Sequence, residues 1–130
     1  MTEIEDNGNG GMWIKAIGFS GLYARSPNAR YRVAWDDQSG IVVCLQGDDI
    51  MAQKTFENPT RARVSNRRTF ALEYFTDAGT RVCEMYFDFT LIRKKLFRYS
   101  VQLAETRDGR TAVWFDDEGH AFVFDLARGL

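Results

Sequence analysis

Short apolar and aromatic runs, separated by turns rich in Asp, Asn and Gly, alternate along most of the chain. The clearest case runs from Thr106 to Leu126, TRDGRTAVWFDDEGHAFVFDL, with Asp-Gly before its first apolar run and Asp-Asp-Glu-Gly between its two runs. Aromatic and β-branched residues favour strands, and Asp-Gly tolerates the positive φ of a tight turn. This segment therefore predicts a β-hairpin.

Two earlier segments share this pattern: SPNARYRVAWDDQSGIVVCL from Ser26 and SNRRTFALEYFTDAGTRVCEMYFD from Ser65. In all three, Asn or Asp is followed two residues later by Arg, then by an apolar strand and by an acidic turn that ends in glycine. The closing glycines, Gly40, Gly79 and Gly119, lie 39 and 40 residues apart. The spacing predicts an internal repeat of about 40 residues.

The segments between these hairpins supply further strands, namely MWIKAIGF, GLYA, IMAQKTFE, TRARVS and LIRKKLFRYSVQLAE. We therefore predict an all-β, antiparallel fold of about three four-stranded repeat units, as a partial propeller or propeller-like sheets, with a β-sandwich or barrel as the alternative. Residues 89–104 also satisfy part of a helical spacing. Alternation at Phe97, Tyr99, Val101 and Leu103 favours strands there, and a short helix stays open.

The Ser26 and Thr106 segments resemble the Ser-Pro-Asp-Gly-Arg, strand, Asp-x-x-Gly, strand units of TolB-like and WD40-like β-propeller proteins. The resemblance implies one propeller blade for each unit. Three units are fewer than the four to eight blades of closed propellers. It therefore implies either a partial propeller or a ring that is completed by self-association.

Residues 1–11 are acidic and Gly-rich and show no apolar periodicity, which predicts a flexible tail before a single domain at 12–130. The chain has 17 basic and 18 acidic residues, so its net charge of -1 gives no general attraction to nucleic acid or to anionic membranes. No secretory signal and no membrane-spanning apolar run are visible. We expect a cytoplasmic protein without membrane contact.

Candidate catalytic chemistry is sparse. Cys44, Cys83 and Val123 each lie four residues after a turn glycine, which predicts a small buried apolar position. The only histidine, His120, cannot form a multi-histidine metal centre, and the acidic turn residues are predicted to bond to their own backbone. We predict no catalytic residue, metal or cofactor, although a hydrolase or lyase that uses acidic turn residues stays a third alternative.

Two basic clusters are the main candidates for binding. They are Arg61, Arg63, Arg67 and Arg68, and Arg93, Lys94, Lys95 and Arg98 with the adjacent Tyr99. We predict a non-enzymatic protein-binding module or scaffold that presents hairpin turns and an aromatic and basic surface. A nucleic-acid-binding protein that uses the clusters at 61–68 and 93–98 is the alternative, and self-association is an open question.

Overall fold

A computed structural model describes residues 4–7, 9–76, 78–79, 81–87, 90–96, 102–115 and 121–125. In this part of the chain, antiparallel strands form three sheets. The six-stranded sheet contains, in chain order, β1 (Ile4–Asp6), β2 (Gly11–Ile14), β3 (Phe19–Arg25), β4 (Tyr31–Trp35), β5 (Ile41–Gln46) and β6 (Asp49–Thr55). The four-stranded sheet contains β7 (Pro59–Val64), β8 (Thr69–Phe75), β9 (Arg81–Phe87) and β10 (Thr90–Leu96), and the three-stranded sheet contains β11 (Gln102–Glu105), β12 (Thr111–Phe115) and β13 (Ala121–Asp125).

The prediction of an all-β, antiparallel fold is confirmed, and each sheet follows the chain as a meander. The repeat of three equal four-stranded units is not confirmed, because the described sheets contain six, four and three strands. Strands at Thr90–Leu96 and Gln102–Glu105 confirm the strand prediction for most of 89–104. Residues 97–101 lie outside the described residues.

The six-stranded sheet curls into a half-barrel around a core of its own. One face of β4 and β5 carries Ala34 and Val43, which pack against Met12, Ile14 and Phe19 from β2 and β3. β1 pairs with β2 and adds Ile4 at the margin of this core. The first strand thus lies inside the segment 1–11 that the sequence assigns to a tail.

The opposite face of β4 and β5 packs on the four-stranded sheet. Successive side chains of a strand point to opposite faces, so Val33 and Trp35 enter this second core while Ala34 enters the first. Their partners include Val64 on β7 and Phe70 on β8. Both faces of β4 and β5 are therefore covered, one by the preceding strands β2 and β3 and the other by the following strands β7 and β8.

The three turns that open the predicted hairpins have a common geometry. In each, a Ser or Thr side chain accepts a hydrogen bond from the backbone amide at the end of the turn: Tyr31 to Ser26 at 3.1 Å, Thr69 to Ser65 at 3.0 Å and Thr111 to Thr106 at 3.1 Å. The third residue after this Ser or Thr has positive φ, at Ala29, Arg68 and Gly109.

This geometry corrects the alignment of the three segments. The positive φ follows directly after Asn28 and Asp108, but it lies two residues after Asn66. Arg67 therefore corresponds to Asn28 and Asp108, because the Ser65 turn closes one residue earlier than the other two.

Hydrogen bonds join the three turns into a row. The Asn28 amide donates to the Asn66 Oδ1 at 2.8 Å, and the Asn66 amide donates to the Glu105 carboxylate at 2.8 and 3.1 Å. Gly109 faces Asn66, since a Cβ on this glycine would lie 3.3 Å from the Asn66 Cβ. We call this arrangement the turn ladder, and it connects each sheet to the next in chain order.

The acidic turns end as predicted where they are described. Gly40 and Gly79 have φ of 80° and 79°, the left-handed conformation that glycine adopts most easily. Gly119 and His120 lie outside the described residues. Val123 is 69% exposed on the last strand, so the prediction that it is buried is wrong.

Candidate binding groove

The cluster at 61–68 divides into two parts. Ala62 and Val64 are buried in the core of β7, so the alternate residues Arg61 and Arg63 project from its other face and line a cavity of about 450 Å³. Arg67 is exposed in the following turn, and Arg68 is half-buried there. Only the first pair of arginines therefore belongs to a concave surface.

The second basic cluster lies elsewhere. Arg93, Lys94 and Lys95 are on β10, which β8 and β9 separate from β7. The structure therefore places Arg61 and Arg63 on one edge strand of the four-stranded sheet and residues 93–95 on the other. Arg98 and Tyr99 lie outside the described residues.

Arg61 and Arg63 have a buried carboxylate as a neighbour. Arg61 is directly opposite Glu73 in the β7–β8 register, and Glu73 is 5% exposed. Burial lowers the pKa of Arg63, the charge of Arg61 lowers it further, and the charge of Glu73 opposes this shift. Glu73 also accepts a hydrogen bond from the Thr60 hydroxyl at 2.9 Å.

The two guanidinium groups differ in what they bind. Arg63 donates to the backbone carbonyl of Ala62 at 2.7 Å. Within the described part of the chain, no hydrogen bond or ion pair engages the Arg61 side chain. Arg61 therefore lines the cavity without an acceptor in this part of the chain, and its planar fork matches the geometry of carboxylate and phosphate groups.

A second cavity of about 740 Å³ continues from the first. Leu22, Trp35 and Thr60 line both cavities, so they form the boundary between them. We call the combined depression the groove. The lining of the second cavity includes the acidic residues Glu5, Asp6, Asp36 and Asp37.

Not all of these carboxylates are available to a ligand. Asp6 accepts hydrogen bonds from the Tyr23 hydroxyl and from Arg25, which lies 3.3 Å away. Asp36 caps its own turn by accepting from the backbone amides of Gln38 and Ser39 at 3.1 and 3.3 Å. Bonding to Ser39 lowers the pKa of Asp36, so this carboxylate is ionised and committed to the turn, as the sequence predicted.

The lining of the groove includes exposed apolar side chains. Leu22 is 54% exposed, and Trp13 is 38% exposed although its neighbours Met12 and Ile14 are buried. An apolar patch with polar residues around it is typical of an interaction surface. The first cavity of the groove thus carries Arg61 and Arg63 beside Glu73, the second carries four further carboxylates, and exposed apolar side chains contribute to the lining.

Most of the residues that line the groove were not predicted from the sequence. Trp13 sits between the buried Met12 and Ile14, and period-two alternation alone assigns it to the outer face. That signal could have identified Trp13 as an exposed aromatic residue. Leu22 and Thr60 carry no comparable signal, because they meet only through the packing of β3 near β7.

Cys44 is half-buried and packs beside the second core. The side chain of Cys83 lies outside the described residues. The described part of the chain contains no group of three or more His, Cys, Asp or Glu side chains that could hold a metal ion. In the same part, no helix is long and apolar enough to cross a membrane.

Comparisons with known proteins give the fold alone. No protein-family model and no curated protein matches this chain. A solved structure described as that of a eukaryotic initiation factor is similar to it, with a TM-score of 0.53 and 11% identity. The similarity covers 94% of this chain and 37% of that one, so this chain corresponds to about a third of the matched protein.

Proposed function

We propose that the protein is a non-enzymatic protein-binding module whose binding site is the groove. The observation that carries this proposal is the composition of the groove, in which Arg61 lines the first cavity, Glu5 and Asp37 line the second, and the exposed Leu22 lines both. An extended peptide segment with an acidic residue, an apolar residue and a basic residue in that order complements all three parts.

For the architecture, we propose a partial propeller of three blade-like units. Three features support it: the repeat spacing of about 40 residues, the turn ladder between successive sheets, and the four-stranded meander of β7 to β10. The resemblance to TolB-like and WD40-like blades fits the same proposal. We further propose the cytoplasm as its location.

The carboxylates that line the second cavity favour a peptide over a nucleic acid. A phosphate backbone that contacts Arg61 and continues along the groove would approach the carboxylates of Glu5 and Asp37, and like charges repel. The basic residues 93–95 do not continue from Arg61 and Arg63, because β10 and β7 are opposite edge strands of the four-stranded sheet. Nucleic-acid binding is therefore the competing outcome of the test below.

Fluorescence anisotropy with labelled peptides tests the proposal. The first peptide carries the acidic, apolar and basic residues in the proposed order, and the second has the same composition with the charges interleaved. We expect the ordered peptide to bind at least about tenfold more tightly, and Arg61→Glu to remove most of this difference. The matched control is Arg30→Glu, since Arg30 is exposed in a turn outside the groove lining.

A third arm uses single-stranded RNA and DNA oligonucleotides at low salt. Binding of these with a steep salt dependence, together with no preference between the two peptides, would replace the proposal with the nucleic-acid alternative. Equal binding of the two peptides to the wild-type protein would exclude the groove as a charge-ordered site.

A further inference from the structure

A buried carboxylate lies among the arginines of the first cavity of the groove. Arg61 and Arg63 are alternate residues of β7, and their partners on β8 are Glu73 and Ala71. Residues directly opposite each other in antiparallel strands project from the same face of the sheet. Glu73 is buried, yet it lines the cavity together with the two arginines. The cavity therefore combines two guanidinium groups with one carboxylate.

A β-bulge holds this carboxylate in place. The register between β7 and β8 shifts between Pro59 and Arg61, so Thr60 is the extra residue on β7. Its hydroxyl donates to Glu73 Oε1 at 2.9 Å. Burial lowers the pKa of Arg63, and the negative charge of Glu73 opposes this shift. Turning the Glu73 side chain away from a bound group would break these contacts, so its charge is a constant part of the lining.

The charges of the first cavity leave a single excess positive charge. The other described residues of its lining are uncharged at neutral pH, namely Gly10, Leu22, Tyr23, Trp35 and Thr60. The hydrogen bond to Asp6 raises the pKa of Tyr23, so this hydroxyl stays neutral. Arg25 and Arg32 lie over the Tyr23 ring, but they are paired with Asp6 and Asp48 at 3.3 and 3.1 Å. A ligand group with one negative charge therefore neutralises the cavity.

We infer that Glu73 makes the first cavity selective for a carboxylate over a phosphoryl group, an inference that rests on the proposed peptide-binding function of the groove. The arginine forks match both anions in geometry, so they do not distinguish them. A carboxylate carries one negative charge, whereas a phosphoryl group carries about 1.5 to 2 at pH 7. The additional negative charge would lie beside the Glu73 carboxylate. Water screens this repulsion only weakly, because Glu73 is buried.

Fluorescence anisotropy with two ordered peptides tests the inference. They are identical except at the acidic position, which is aspartate in one and phosphoserine in the other. We expect the wild-type protein to bind the aspartate peptide at least about tenfold more tightly. Glu73→Gln removes the charge but keeps an oxygen for the Thr60 hydroxyl, and it should reduce this preference at least about tenfold. Glu73→Asp keeps the charge and should keep the preference.

The matched control is Glu84→Gln. Glu84 is also a buried carboxylate of the four-stranded sheet, and it also accepts a hydrogen bond from a hydroxyl, that of Tyr74. It pairs with Leu72, a member of the second core, and the described lining of the groove does not include it. Glu84→Gln should therefore keep the wild-type preference. Circular dichroism verifies that each variant is folded.

The outcomes separate this inference from the proposed function. Equal binding of the two ordered peptides to the wild type, tighter binding of the phosphoserine peptide, or an unchanged preference in folded Glu73→Gln would each overturn the inference alone. If the wild type does not prefer the ordered aspartate peptide to its interleaved counterpart, the proposed function and the inference both fail. The wild-type comparison needs no substitution, so it can refute the inference even if a variant does not fold.

Discussion

Two glycines close equivalent acidic turns with nearly identical backbone, yet their surroundings differ. A Cβ on Gly40 would lie 2.2 Å from the carbonyl oxygen of Phe56, whereas a Cβ on Gly79 would meet no atom within 4 Å. The chain after β6 lies this close to Gly40 because the backbone amide of Phe56 donates a hydrogen bond to the Gly40 carbonyl at 2.8 Å. Gly40 is thus required both for its φ and for the approach of the chain after β6.

Replacing these two glycines separates the two requirements. Gly79→Ala should lower the free energy of unfolding by about 1–2 kcal/mol, the cost of a left-handed alanine. Gly40→Ala should lower it by about 1–3 kcal/mol more, since the backbone of Phe56 must also move. Urea denaturation followed by tryptophan fluorescence measures both values, and equal losses in the two variants would contradict the close approach at Gly40.

Turn residues were the part of the fold that the sequence predicted best. Gly40 and Gly79 adopt the predicted positive φ because glycine alone adopts this backbone at little cost. The error at Asn66 has a local cause: the Ser65 turn is one residue shorter, and Arg68 takes the positive φ without being glycine or asparagine. Residue type alone could not reveal either fact.

At the scale of strands, the main difference from prediction is at the N-terminal end. Ile4 is one apolar residue among acidic and polar ones, so no alternation marks β1, and its pairing depends on β2 being present beside it. β2 itself buries Met12 and Ile14, which are 3% and 0% exposed. The core of the half-barrel therefore depends more on β2 than on β1.

Alanine substitutions in the two strands should show this difference. Ile14→Ala should lower the free energy of unfolding by about 3 kcal/mol, because it leaves a cavity in the half-barrel core. Ile4→Ala removes the same atoms from a half-buried position and should cost about 1 kcal/mol. Guanidinium denaturation compares the two variants. If Ile14→Ala lowers the free energy of unfolding no more than Ile4→Ala does, β2 does not contribute more to the core than β1.

At the scale of the whole molecule, the turn ladder connects sheets that are otherwise joined by side-chain packing. Asn66 takes part in both connections of the ladder. Its side-chain Oδ1 accepts a hydrogen bond from the Asn28 backbone amide, and its own backbone amide donates to the Glu105 carboxylate. Burial raises the pKa of Glu105, while the hydrogen bond from Asn66 and the charge of Arg67 oppose this rise. The ladder therefore includes a partly buried carboxylate whose pKa is raised on balance by burial.

Removing the Asn66 side chain should weaken the ladder without emptying the core. Asn66→Ala deprives the Asn28 amide of its acceptor and should lower the free energy of unfolding by about 0.5–1.5 kcal/mol. Gln38→Ala is the control, since Gln38 is exposed in an acidic turn and should change stability by less than about 0.5 kcal/mol. Thermal unfolding followed by circular dichroism distinguishes them, and two indistinguishable variants would mean that the ladder contributes no stability.

The groove illustrates why a site can be less predictable than its fold. Arg61 and Arg63 are close in sequence, and their alternation with Ala62 and Val64 places them on one face. Leu22 and Glu5 come from β3 and β1, and only the curl of the six-stranded sheet brings them near β7. Sequence spacing gives contacts within a strand or hairpin, but it does not give the curvature of a sheet.

The half-barrel core also bears on how the chain folds during synthesis. Every member of that core, from Ile4 to Ile50, belongs to the N-terminal part of the chain, whereas the second core needs Ala62 to Leu72 as well. Domains generally form from the N-terminal side as the ribosome releases the polypeptide. The nascent chain can therefore bury one face of β4 and β5 before the four-stranded sheet has been made, and protease protection of stalled chains of increasing length would reveal that early step.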